Sequence, residues 1–190
     1  MIKPWKTLSS KQVLKDQFLT LRTDRCERDD GHVVPTYHVL EFTDWVTIIP
    51  ITSAGNIVLV REYRHASGKV MIGLPGGVSD PGETDWEAVG RRELSEETGY
   101  SAGSMVPVGT CYPNPATQDN LLHFYLALDC VPDAGQNLDP NEQIEVIEMP
   151  YETFLNYGEL DVQHGLHATG LFYAERHFLA HPERRPLARR

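Results

Sequence analysis

The chain has 190 residues, 41% of them hydrophobic and 23% charged, and a formal net charge of −10, which suits one domain with its own core plus an extension. An acidic balance without clustered Lys and Arg excludes a nucleic-acid backbone as partner, and the odd, widely spaced Cys26, Cys111 and Cys130 exclude a disulfide framework and a Cys-type zinc site. No stretch approaches membrane-spanning length and the N-terminus does not resemble a signal peptide, so a cytoplasmic protein without membrane attachment is expected.

Residues 1–43 read as a polar, strand-rich preface. Phe18 to Arg22 and Val33 to Phe42 flank Arg28-Asp29-Asp30-Gly31, whose Asp-Gly pair signals a hairpin. A lone hairpin is marginal in water, so this piece is expected to pack on the main body or on a second subunit. The catalytic domain is expected over 44–182. Val46 to Pro50 and Ile57 to Glu62 flank Ser53-Ala-Gly55-Asn56, a second hairpin, and the apolar piece Val70 to Leu74 leads into a Gly/Pro-rich loop. A helix follows. Thr84-Asp-Trp-Glu87 reads as a capping box starting at Thr84, and Asp85 is the favoured alternative N-cap; Gly99 is a good C-cap.

Strands are expected near Val106 to Cys111, Leu122 to Leu128 and Ile144 to Glu148, and helices over Tyr151 to Tyr157 and Ala168 to Leu179. The run His123-Phe-Tyr-Leu-Ala-Leu128 is apolar at nearly every position, as a central strand buried on both faces would be. The basic tail, 183–190, is expected to be a solvated end. Strands interleaved with two or three helices suggest an α+β domain layered as α/β/α.

Chemistry concentrates in residues 77–100. At about 100° per residue, Glu93, Glu96 and Glu97 share one side of the helix within an arc of roughly 100°. Three like charges so close repel unless a cation sits among them, and carboxylate oxygens are what hard divalent cations take. A solvated acidic helix face is the plain alternative. The segment Arg92-Glu93-Leu94-Ser95-Glu96-Glu97-Thr98-Gly99-Tyr100, with Gly77 and Glu83 ahead of it, closely resembles the Nudix box. One departure is visible: eight residues, Thr84 to Arg91, separate Glu83 from Arg92, where the family pattern has seven.

That resemblance implies a Nudix-like mixed-sheet fold and hydrolysis of a diphosphate linkage with Mg²⁺, or Mn²⁺ in its place. It implies Glu93 and Glu97 as direct metal ligands, Glu96 as a further or water-mediated one, and a loop backbone oxygen near Gly76 as an extra ligand. Arg92 would orient a box glutamate. Gly77 would let backbone pass close to metal and phosphate.

Further on, Cys111-Tyr-Pro-Asn-Pro115 places Pro115 fifteen residues past Tyr100. With His123 to Ala127, Ile48-Ile-Pro50-Ile and Val60-Arg61-Glu62-Tyr63-Arg64, it resembles the ADP-ribose pyrophosphatase branch, in which Gln more often stands where Glu62 is. Arg64 is the first candidate for phosphate or ribose contact and Arg61 the second, because a guanidinium matches two phosphate oxygens. Strand alternation would put them on opposite faces. Trp45 could stack on a nucleobase, or simply belong to the core. Glu142, on a loop before the last strand, matches the branch's additional acidic group for metal or base duty.

His164 and His167 lack the spacing of a zinc site, and Gly76-Gly77 is not a P-loop. The branch implies a homodimer through the preface and a nucleotide-sugar substrate, with ADP-ribose favoured. GDP-mannose, another sugar nucleotide, NADH and a nucleoside triphosphate are alternatives, as is an inactive binding module.

Overall fold

A computed structural model describes residues 1–156 and 164–186. The chain divides into two compact units, one of Met1–Asp44 with Tyr112–Leu121 and one of Trp45–Cys111 with Leu122–Arg190.

The smaller unit is a three-stranded antiparallel meander of β1 (Lys6–Lys15), β2 (Thr20–Glu27) and β3 (Val33–Glu41). The Asp-Gly turn forms where the sequence places it: Arg28 N–H donates to His32 O and Gly31 N–H to Arg28 O. Arg22 ties the sheet together by ion pairs to Asp24, Glu41 and Asp119. β1 is a strand that apolar alternation does not announce. It is exposed at nearly every position and carries two register shifts, so backbone pairing to β2 holds it.

In the larger unit, β4 (Trp45–Thr52), β5 (Asn56–Arg64), β6 (Lys69–Gly73), β7 (Gly76–Val78), β8 (Tyr100–Ser101), β9 (Ser104–Cys111), β10 (Leu122–Pro132) and β11 (Ile144–Pro150) make one eight-stranded mixed sheet. Its spine runs β11-β5-β4-β10-β8, and β4 and β10 pair in parallel. The helices are α1 (Trp86–Thr98), α2 (Tyr151–Leu155) and α3 (Gly165–Ala180). Alternation along β4 explains the layers. Val46 and Ile48 face the cluster holding Val89 and Leu94 of α1; Ile49 and Ile51 face the one holding Tyr151, Phe154, Ala174 and Phe178 of α2 and α3. The fold is α+β, with helices on both faces of a mixed sheet.

Three details differ from expectation. The loop ahead of α1 contains β7, which pairs with β4. Helix α3 begins three residues earlier than its apolar pattern suggests, and Tyr157 of the expected preceding helix lies outside the described residues. The start of the basic tail is not simply solvated: Pro182–Arg184 forms a 3₁₀ turn, and Arg185 ion-pairs with Glu152 and Glu175.

Candidate active site

Helix α1 begins at Trp86 because the Asp85 carboxylate accepts the Ala88 N–H at 3.1 Å, and it ends at Gly99, which takes φ 72° and returns its N–H to Ser95 O. A side chain at 99 would be strained there and would also meet the Ala134 carbonyl. These caps leave the extra residue in the loop before Asp85. Glu83 nevertheless reaches the helix: its carboxylate accepts from Arg92 at 3.0 Å, which holds the Glu83 carboxyl below its usual range.

The helix then presents its carboxylates to the β7 backbone. The Glu97 carboxylate accepts the Gly76 N–H at 2.9 Å. Glu93 lies over Gly77 so closely that a Cβ there would come within 2.3 Å of its carboxylate oxygen. Gly77 is thus the residue that lets Glu93 approach. Arg92 also stands 3.6 Å from Glu93.

Charge is costly in this corner. Burial, with Glu96 and Glu142 nearby, raises the Glu93 pKa to about 7 against the opposing pull of Arg92. Burial likewise raises Glu97 to about 8, opposed by the Gly76 N–H and reinforced by Glu93, Glu62 and Glu142. Glu142 is exposed on the loop before β11, its carboxylate accepting the Asp139 N–H at 3.0 Å. Among the described residues no three of these groups already converge on one point. Crowded oxygen donors around a glycine floor nevertheless have the chemistry of a hard divalent cation site.

A cavity of about 240 Å³ opens along the same backbone. Trp45, Arg64, Gly76, Gly77, His164 and His167 line it. Arg64, at the end of β5, is ion-paired to Glu62 two residues before it. Arg61, on the other face, pairs instead with Glu145 of β11 at 2.8 Å. Pro115 belongs to the smaller unit.

Glu62 is the residue that sequence reading passed over. Its carboxyl is raised first by burial, with Arg64 opposing and Glu142 adding, so it links the guanidinium of the cavity to the carboxylate corner. Its departure from the branch's usual Gln was the available signal.

Residues 42–167 match the model of the NUDIX domain, and residues 5–40 match that of the nucleoside diphosphate sugar hydrolase N-terminal domain. An ADP-ribose pyrophosphatase of Bacillus subtilis is 27% identical over 81% of this chain and 83% of its own length. A GDP-mannose pyrophosphatase of Escherichia coli is 31% identical over 78% of this chain and 83% of its own. A crystal structure described as an ADP compounds hydrolase superposes with a TM-score of 0.81 at 22% identity, covering 95% of this chain and 97% of that one, a likeness of fold. With the domain match spanning most of the chain and relatives aligned over about four fifths of it, the family is settled: this is a Nudix hydrolase.

Proposed function

We propose that the protein hydrolyses the diphosphate linkage of a nucleoside diphosphate sugar, with ADP-ribose as leading substrate and GDP-mannose as the second, giving a nucleoside monophosphate and a sugar phosphate. The observation that carries this reading is the pair of crowded, buried carboxylates, Glu93 and Glu97, held against the Gly76–Gly77 floor of a cavity. The relatives named for ADP-ribose and GDP-mannose, and the N-terminal domain match, support the substrate class.

Glu93 and Glu97, with Glu96, Glu142 and the Gly76 carbonyl, would hold Mg²⁺ or Mn²⁺. Bound there, the cation would neutralise phosphate charge and make water a better nucleophile. The chain's own residues do the rest. Arg92 fixes Glu83 and steadies Glu93. Arg64 offers two N–H groups to phosphate once Glu62 shares its charge elsewhere, with Arg61 a weaker candidate because Glu145 occupies it. Trp45 covers one end of the cavity and Pro115 shapes the segment before β10. Glu142, least buried of the acids, takes the proton from the attacking water as its oxygen joins one phosphorus and the bridging oxygen leaves with the other.

The working form is a cytoplasmic homodimer built through residues 1–43, with 44–182 as the catalytic domain. Product analysis tests the chemistry: incubation with Mg²⁺ and ADP-ribose, GDP-mannose, UDP-glucose, NADH or a nucleoside triphosphate. AMP plus ribose phosphate, abolished by chelator, is the expected result. Failure to cleave any of the five would replace this reading with a binding module.

A further inference from the structure

The two histidines of the cavity have no place in the box chemistry, yet the fold is built around them. His167 is buried, and its Nδ1 accepts the Leu74 N–H at 3.3 Å. Its ring occupies the space a side chain at Gly73 would take: a Cβ there would lie 2.0 Å from the imidazole. His164 stacks on it, with ring centroids 4.2 Å apart and planes within 15°. The His164 Nδ1 is sealed from solvent without a partner among the described residues, and the ring does not cap the helix it precedes.

The Leu74 contact fixes the tautomer of His167, and burial favours one for His164. An Nδ1 that accepts a backbone N–H carries no proton, so the His167 proton is on Nε2. A buried N–H without an acceptor is rarer than an unfilled lone pair, so the His164 proton is on Nε2 as well. Burial drives the His167 pKa down to about 3, with His164 and Arg64 adding to the effect, and burial lowers that of His164 too. The stack is therefore a neutral wall with two N–H donors.

Its place along the cavity assigns its ligand. Trp45 pairs with Val78 and Thr47 with Gly76, so the floor from Leu74 to Val78 runs about 13 Å past the carboxylate corner at Gly76–Gly77. Trp45 stands at one end and the histidine stack at the other, bracketing the place where phosphates meet the box. We propose that the His164–His167 stack is the sugar-recognition wall, donating hydrogen bonds to hydroxyls of the non-nucleotide half of a nucleoside diphosphate sugar. Neutral donors suit hydroxyls; the phosphates have Arg64 and the metal corner, and the aromatic face for a base is at the far end. The inference rests on the nucleotide-sugar reading above.

Calorimetric titrations in Mg²⁺ test it without turnover, using ribose 5-phosphate, mannose 1-phosphate, AMP and inorganic phosphate. His164→Phe keeps the stack and removes the donor. It should weaken the sugar phosphates about fivefold, the worth of one neutral hydrogen bond, and leave AMP and inorganic phosphate within twofold. His164→Gln, which restores a donor near Nε2, should recover most of the loss and guards against a folding defect in the first variant. Equal weakening of AMP or inorganic phosphate, no weakening at all, or wild-type protein that binds neither sugar phosphate overturns the inference. A wild type that cleaves no nucleotide sugar yet shows this binding pattern sinks the pyrophosphatase reading and leaves the wall standing.

Discussion

Glu97 shows what it costs to bury a carboxylate among other carboxylates. Buried, and facing Glu93, Glu62 and Glu142, it holds its proton up to about pH 8, and Glu93 holds its own to about 7, against an ordinary glutamate value of 4.5. Between 4.5 and those values the folded chain keeps protons that the unfolded chain has released. The stability these two carboxylates contribute to the metal-free protein is therefore lost as pH rises through that window. His164 and His167, held below their usual range by burial, pull the other way up to about pH 6.5, so melting scans in chelator should show Tm declining from pH 6.5 to pH 8; a flat or rising profile there would remove the crowding argument. Glu97→Gln takes away one of these charges. It should raise the metal-free Tm at pH 8 by about 2–4 °C per kcal/mol relieved, while lowering kcat by roughly 10²–10³-fold. Near-normal activity in that variant would refute its assignment as a metal ligand. At this scale the sequence was informative for Glu93, Glu96 and Glu97, because three carboxylates at helical spacing have one geometry. Glu62 was harder to read, because its neighbours come from strand pairing: β5 lies beside β11, and residue 62 sits opposite Ile144, just past the Glu142 loop.

Helix α1 carries the box, and its caps decide whether the box is in register. The Asp85 side chain satisfies one N–H of the first turn, and Gly99 closes the last. Asp85→Ala should cost about 1 kcal/mol, read as a drop of about 2–4 °C in Tm. Because Arg92 and Glu83 bridge the loop to the second turn, activity should fall further than stability alone accounts for, measured as kcat/KM well below the melting point. Capping residues made this helix legible to within a residue. The same cannot be said of β1 or β7. A strand exposed along its length has no apolar alternation to read, and a three-residue strand containing two glycines has no propensity to speak of. Both exist because a neighbouring backbone supplies the hydrogen bonds.

At the scale of the molecule, the smaller unit is short of partners for its apolar side chains. Trp5, Val13, Leu14 and Phe18 are exposed, and a three-stranded sheet with little buried on it gains from a second surface. Light scattering should report a dimer at micromolar concentration, and deletion of residues 1–43 should yield a monomer. A fully active monomeric wild type would sink the dimer.

The parallel pairing of β4 with β10 has a consequence for how the chain reaches its fold. The two strands that form the centre of the sheet begin at residues 45 and 122, with the box helix and five other strands between them. No short turn can bring them together, so loop closure must be completed before their contacts contribute anything. Until the ribosome has delivered residue 122 and beyond, Val46, Ile48, Ile49 and Ile51 wait without their permanent neighbour. During synthesis that Ile-rich strand is the segment a chaperone would find exposed, and refolding from denaturant belongs to the slow, millisecond-to-second class of non-local topologies.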